Sequence, residues 1–281
     1  MTVLVTGGRG QLGRSLAAHR GVIALGADAL DVREPAQIAA ALARHAPALV
    51  INAAAYTAVD RAEAEPAAAR AVNTTAVDHL ARACRDRRTP WIHVSTDHVF
   101  DGRAAAPYRE DDPVAPRGVY GQSKADGEAI ARAAGATIVR TSWLFATGGA
   151  RFVQAVLRRA IAEPALRVVA DQHGCPTWAD DLAAALLRLA ALRAPAATYH
   201  FCGDGATTRH GFAAAIVAEA RRHRALACTR IDPIASEAGP APRPAYAVLD
   251  TSRIRALGIV PPAWTIGLAR VVGDEVAAGA A

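Results

Sequence analysis

Thr2-Val3-Leu4-Val5-Thr6-Gly7-Gly8-Arg9-Gly10-Gln11-Leu12-Gly13 is the stretch that decides the fold. Its first five residues form a short apolar run with β-branched side chains, the composition of a buried strand. The glycine-rich turn follows at once, and a helical pattern then runs to Ala18 and stops at Gly21. In a unit of strand, glycine loop and helix, the glycines at 7, 10 and 13 have physical tasks. They allow a tight turn, backbone access for a pyrophosphate, and close packing of helix on strand. The helix N-terminus then offers amides and a positive dipole end to phosphates. An ordinary glycine-rich turn is the alternative, and the position behind the first strand favours the dinucleotide reading.

Outward from this unit, strands and helices alternate. Val22 to Leu25, Ala48 to Asn52, Trp91 to Val94 and Thr137 to Trp143 read as strands. Helices are expected from Pro35 to His45, from Glu65-Pro66 to about Arg88, and from Gly121 to about Ala134 with Gly135 as the stop. This alternation implies an α/β fold, a Rossmann-type doubly wound parallel sheet with helices on both faces. The second half is less regular. Helices are expected near 150 to 162, 179 to 193, 208 to 223 and 265 to 278, with short strands near Leu166 to Val169 and Thr198 to Phe201. Asp101 to Arg117 is a proline-rich loop, and Pro233 to Tyr246 reads as a loop laid over a site or an edge. The expected organisation is a dinucleotide-binding domain over residues 1–148 and a smaller α/β substrate-binding lobe over 149–281, with a discontinuous boundary.

The chain has 281 residues, 52% hydrophobic and 21% charged, which suits a soluble globular enzyme. There is no basic leader with a small-residue cleavage pattern, and no apolar run approaches the ~20 residues of a membrane helix. A cytoplasmic protein without a membrane partner is the expectation. Cys84, Cys175, Cys202 and Cys228 lack the close pairs of a zinc or redox motif and read as reduced, packed residues. The formal charge is +6, but the arginines are spread along the chain, which argues against nucleic acid. A modest basic excess also suits an anionic small ligand such as a diphosphate.

The candidate chemistry sits in Tyr120-Gly-Gln-Ser-Lys124. Residues four apart stack on one helix face, which sets the Lys124 ammonium near the Tyr120 phenol. A free phenol titrates near pH ~10, and an adjacent cation lowers that value. A solvated helix face would explain the pair in isolation. Two strand ends add to it: Ala53-Ala54-Ala55-Tyr56-Thr57 and Ser95-Thr96-Asp97-His98 fall where open α/β sheets bind ligands. Asp31 either reaches a dinucleotide ribose or caps the helix that Pro35 begins.

The motifs Thr-Gly-x-x-Gly-x-x-Gly at 6 to 13, Asn-Ala-Ala-Ala at 52 to 55, Ser-Thr-Asp-x-Val-Phe at 95 to 100, Tyr-Gly-x-x-Lys at 120 to 124 and Arg-Thr-Ser-Trp at 140 to 143 occur in order. Together they resemble the extended short-chain dehydrogenase/reductases, and among them the dTDP-4-dehydrorhamnose reductases. The resemblance implies a catalytic trio of Thr96, Tyr120 and Lys124. It implies NADPH or NADH held by Gly7, Gly10, Gln11, Leu12, Gly13, Asp31, Val32, Ala55, Tyr56 and Thr57, with Tyr120 and Lys124. The substrate it implies is a nucleotide-linked 4-keto-6-deoxy sugar touching Thr96, Asp97 and Trp143, although Trp143 reads equally as a core aromatic. An epimerase, a reductase of another nucleotide sugar, or a non-catalytic member of the fold are the alternatives. His98 stands where such relatives usually have tyrosine, and the absence of an acid there argues against dehydration. Ser15 stands where some members carry a glutamate that binds magnesium between subunits. The expectation is therefore a monomer or weak homodimer with no metal.

Overall fold

The computed structural model describes residues 1–148 and 152–279. The first residues of the expected lobe and of the helix expected from 150 lie outside the described residues. The first half alternates as the sequence implies. Strands β1 (Val3–Thr6), β2 (Val22–Leu25), β3 (Leu49–Asn52), β4 (Trp91–Thr96) and β5 (Thr137–Thr141) are interleaved with helices α1 (Gln11–Ala17), α2 (Pro35–His45), α3 (Val59–Ala64), α4 (Pro66–Arg70), α5 (Ala76–Asp86) and α6 (Val119–Ala133). The second half comprises β6 (Leu144–Phe145), α7 (Phe152–Ala162), β7 (Ala165–Val169), β8 (His173–Gly174), β9 (Thr177–Trp178), α8 (Ala179–Leu192), β10 (Thr198–His200), β11 (Thr207–Thr208), α9 (Arg209–Ala220), β12 (Arg230–Ile234), α10 (Ser252–Arg255) and α11 (Trp264–Ala277).

Six parallel strands form the main sheet in the order β2-β1-β3-β4-β5-β10. The order reverses at β1, where the chain goes to β2 on one side and β3 on the other. Ligands bind at such a switch point, beyond the carboxyl ends of the strands. The glycine loop is there, and its last glycine is fixed by close approach: a Cβ on Gly13 would stand 2.2 Å from the Gly7 carbonyl oxygen. In register, Thr6 lies beside Asn52 and Asn52 beside His93, so three polar side chains form a row across the sheet.

Two hydrophobic cores flank the sheet's ligand edge. Val3, Val5, Leu16 and Ile51 pack with Leu182 and Leu186 of α8 on one face of the sheet. A separate core joins α7, α9 and α11 through Val153, Phe212, Ile216 and Val271. Among the described residues no helix is long and apolar enough to cross a membrane.

Three local expectations need correction. The helix expected over Glu65 to Arg88 is α4, a π-helical segment Ala71–Thr75, and α5, and the separate α3 precedes it. The wider turn brings the buried Asn73 amide to the Tyr56 backbone and to Ser123 Oγ at 3.0 Å. The strand expected to reach Trp143 ends at Thr141, because Trp143 takes a left-handed backbone (φ 44°) that breaks the ladder before β6. The loop expected from Pro233 starts later, because Arg230–Ile234 pairs with β7 and Pro233 sits in that edge strand.

Candidate active site

The site is built at the carboxyl ends of β1, β3, β4 and β5. They open on a cleft of about 780 Å³ lined by the glycine loop, the Ala53–Thr57 segment, the Ser95–His98 segment and the first turns of α6. Helix α6 can approach the β4 end because residue 121 is glycine: a Cβ there would stand 2.2 Å from the His98 carbonyl oxygen. Ser123 Oγ returns a hydrogen bond to the Tyr120 carbonyl at 2.8 Å. Tyr120 is buried with its ring edge-on to His98, 5.3 Å between centroids.

Lys124 lies one turn below Tyr120 and is almost wholly buried, 2% exposed. Its Nζ donates to the Val94 carbonyl at 2.7 Å and stands 3.4 Å from His93 Nε2. Burial pulls the Lys124 ammonium down to about 8, against a smaller opposing pull from the Glu128 charge. Burial also holds the His93 imidazole well below the usual histidine range, so it is neutral at pH 7.

Thr96 and Asp97 form a clamp. Thr96 Oγ1 donates to Asp97 Oδ1 at 2.9 Å, and Ser142 Oγ donates to Asp97 Oδ2 at 3.0 Å. Both carboxylate oxygens of Asp97 are thus engaged in fixing the β4 and β5 ends. Trp143 lines the cleft, with the Arg209 guanidinium 3.7 Å above its ring. A left-handed tryptophan is strained backbone held by its surroundings. That backbone and the indole's place at Gly174 both aim the ring, since a Cβ on Gly174 would stand 2.5 Å from Trp143 Cε2.

The cleft brings together Gly10, Gln11, Leu12, Gly13, Ala55, Thr57, Thr96, Asp97, Tyr120, Lys124 and Trp143. Four expected cofactor residues do not line it. Gly7 turns the backbone behind the loop with φ 71°. Tyr56 points its hydroxyl to Glu65 Oε2 at 2.9 Å. Val32 is buried, and Asp31 accepts from the Arg33 guanidinium and from its backbone N–H at 2.9 Å. Asp31 does not cap α2; Glu34 occupies that position.

A dinucleotide fits the donor set. Gln11 Oε1, Ser95 Oγ and Thr141 Oγ1 are buried without a hydrogen-bond partner, and all three residues line the cleft. Gln11 to Gly13, the first residues of α1, line the same space. Among the described residues there is no cluster of His, Cys, Asp and Glu that could hold a metal ion.

The family model described as RmlD substrate binding domain matches residues 1–276. The chain belongs to this family. It is 45% identical over 272 residues to a dTDP-4-dehydrorhamnose reductase of Streptomyces griseus, covering 92% of this chain and 88% of the relative. It is 41% identical to a probable dTDP-4,6-dihydroxy-2-methyloxan-3-one 4-ketoreductase of Streptomyces antibioticus, covering 99% and 97%. Among solved structures it is similar to the Bacillus anthracis dTDP-4-dehydrorhamnose reductase in complex with NADP. That likeness has a TM-score of 0.91 at 30% identity and covers 98% of this chain and all of the other.

For this member of the RmlD family, sequence reasoning left out several cleft residues. Arg209, Arg243, Gln172 and Phe152 line the cleft from the second half. Gln172 and Arg243 fall in family-like segments, Asp171 to Thr177 and Arg243-Pro244, to which no site role was assigned, and no motif announces Arg209 or Phe152. Arg243 had a signal in the proline cluster around it; its Nη2 pairs with Asp60 at 2.8 Å while its buried Nη1 has no partner. His93 also escaped, because inside an apolar strand a histidine reads as packing.

Proposed function

We propose that this chain reduces the C4 ketone of dTDP-4-dehydro-L-rhamnose to dTDP-L-rhamnose with NADPH or NADH, the last step of dTDP-rhamnose formation. The observation that carries the proposal is the convergence of Thr96, Tyr120 and Lys124 on one cleft with residues 10–13 of the glycine loop. The bound nicotinamide supplies the hydride. Negative charge then builds on the C4 oxygen, and Tyr120 delivers the proton it needs. Thr96 Oγ1, held by the His98 N–H at 3.2 Å, turns its one hydroxyl proton from Asp97 Oδ1 to the same oxygen. Lys124 in its ammonium form favours the phenolate that Tyr120 becomes. With one N–H given to Val94 and a second facing His93 when its Nε2 is bare, one remains for the nicotinamide ribose.

Residues 1–148 form the dinucleotide-binding part, with β10 and α8 returning to it from the second half, and the rest of 149–281 forms the substrate lobe. Asp31 is charge-balanced by Arg33, and Arg9 beside Gly26 is balanced by Asp28 at 2.6 Å. Neither acid then stands as an unopposed charge against a ribose 2′-phosphate, and both cofactors are accepted. The protein acts as a monomer or weak homodimer without a bridging metal.

A second reading is supported by the 41% identical 4-ketoreductase relative and by His98 at the substrate end: a 4-keto sugar other than the rhamnose precursor. The deciding experiment incubates purified protein with dTDP-4-dehydrorhamnose and NADPH or NADH at equal concentration. Oxidation of the cofactor in step with dTDP-L-rhamnose is expected; its absence, with turnover of another dTDP-4-keto sugar, selects the second reading. In the same assay Tyr120→Phe is expected to lose about 10²-fold to 10⁴-fold in kcat, and a Tyr120→Phe enzyme as fast as the parent refutes the mechanism.

A further inference from the structure

A buried row of polar side chains runs from the glycine loop to Lys124. Ala54 N–H donates to Thr6 Oγ1 at 3.3 Å, and Thr6 Oγ1 donates to Asn52 Oδ1 at 2.6 Å. Asn52 Nδ2 stands 3.1 Å from His93 Nδ1, and His93 Nε2 stands 3.4 Å from Lys124 Nζ. All four side chains are at most 3% exposed. A buried ammonium ordinarily needs a carboxylate. Glu128, one turn along α6, gives its oxygens to Arg140 at 2.9 and 2.7 Å, and no carboxylate lies within 4.0 Å of Lys124 among the described residues. The titratable groups that bear on Lys124 are therefore Glu128 on its own helix and His93 on β4. Arg140 on β5 occupies Glu128, and the π-helical segment contributes only the neutral Asn73 and Thr74 at Ser123.

We propose that His93 is a positioning residue for the reduction: a neutral imidazole, steadied by Asn52 and Thr6, whose tautomer follows the charge on Lys124. With the Asn52 amide N–H turned to His93 Nδ1, the ring proton sits on Nε2 and meets the lone pair of a neutral Lys124 amine. With the amide turned over, Asn52 Oδ1 accepts from Nδ1–H, and the bare Nε2 accepts from the Lys124 ammonium. Asn52 then donates to Thr6 Oγ1, whose second lone pair still takes the Ala54 N–H, and the Thr6 hydroxyl proton gives up its bond to Asn52 Oδ1. Between the two states the pair gains one proton in all: His93 Nε2–H passes its proton to the Lys124 amine, Nδ1 takes one from solvent as the Asn52 amide turns over, and the ring does not move. Lys124 thus has a matched partner in either charge state, which an apolar residue or a fixed carboxylate at position 93 could not supply.

The direct test is ¹⁵N NMR of the ring nitrogens in ¹⁵N-histidine-labelled protein between pH 6 and 10, with His93→Leu assigning the signals. The expected result is a change of His93 tautomer with a midpoint near about 8, where Lys124 titrates, without an imidazolium at any point. One tautomer throughout the range overturns the proposal. The kinetic arm rests on the reading of Lys124 as catalytic; the NMR arm does not, so the two readings fail separately. In that arm, His93→Leu moves the alkaline limb of the kcat profile down by about one pH unit and lowers kcat about tenfold, and His93→Gln restores the limb. Asn52→Asp, which can only accept from Nδ1–H, moves the limb up. An unmoved limb in both His93→Leu and Asn52→Asp overturns the positioning role. Should His93→Leu not fold, Asn52→Asp and the parent's NMR titration decide between these outcomes.

Discussion

Lys124 puts a stability cost in the cleft. Its ammonium titrates near 10.5 in the unfolded chain and at about 8 in the fold, because burial disfavours the charge. Below pH 8 both states carry the proton, and the fold bears a cost of roughly 3 kcal/mol. Between pH 8 and 10.5 the unfolded chain binds more proton than the native one, so stability rises with pH through that window. Above 10.5 the cost is gone. Lys124→Met is therefore expected to unfold at higher urea than the parent at pH 7, by up to about 3 kcal/mol less the lost bond to Val94. The gain should shrink towards zero by pH 10.5, while reductase activity is lost at every pH. Urea melts of the pair at pH 7 and 10 measure it; a variant less stable than the parent at pH 7 would mean that Lys124 is held by favourable pairing.

At the scale of elements, α6 organises the site, and it does so through glycines as much as through side chains. Gly121 sets the N-terminal turn against the His98 carbonyl, and Gly127 sets the next turns against the Asn73 carbonyl, where a Cβ would also stand 2.2 Å away. Backbone cannot yield by that much without moving the helix. Gly121→Ala is expected to shift Tyr120 relative to Thr96 and to lower kcat by about 10²-fold, the order of loss for a misplacement near 1 Å. Cofactor affinity, read by fluorescence titration, should change far less, because the glycine loop is untouched; equal losses in both would contradict the argument.

The same element shows what could be read from sequence. The helical spacing of Tyr120 and Lys124, the glycine loop and the alternation of strands and helices are local patterns, and the structure has them. The helix over Pro35–His45 begins and ends where proline and the following loop imply. The π-helical segment at Asn73, the left-handed Trp143 and the edge strand Arg230–Ile234 are imposed by partners distant in sequence: Ser123, Asp97 with Gly174, and β7. Nothing in a window of ten residues encodes them. Likewise Arg209 and His93 belong to the site only because α9 and β4 are brought to it.

The whole molecule places its cleft between a core built on the parallel sheet and a second core of α7, α9 and α11. Arg209 begins α9 and reaches across to stack on Trp143, the second residue after β5. The second half thereby supplies two cations, Arg209 and Arg243, to a site whose acids and Lys124 come from the first. Besides Lys124, Arg209 and Arg243 are the cations among the described residues that line the cleft, and the cleft's carboxylates are already engaged, Asp60 by Arg243 and Asp97 by Thr96 and Ser142. Excess positive charge at the lobe end suits the diphosphate of a nucleotide sugar, and a guanidinium pairs with it through directed hydrogen bonds. Removing one charged partner of that kind costs about 1.5 to 3 kcal/mol. Arg209→Ala is thus expected to raise KM for the dTDP sugar by roughly 10-fold to 100-fold, with the dissociation constant for NADPH within about twofold of the parent. The split decides the point, because a collapse of the lobe would also show as a lowered Tm, whereas a lost phosphate contact leaves Tm near the parent's. Should both constants rise together, Arg209 serves the closure of the cleft around the cofactor, and the diphosphate is held elsewhere.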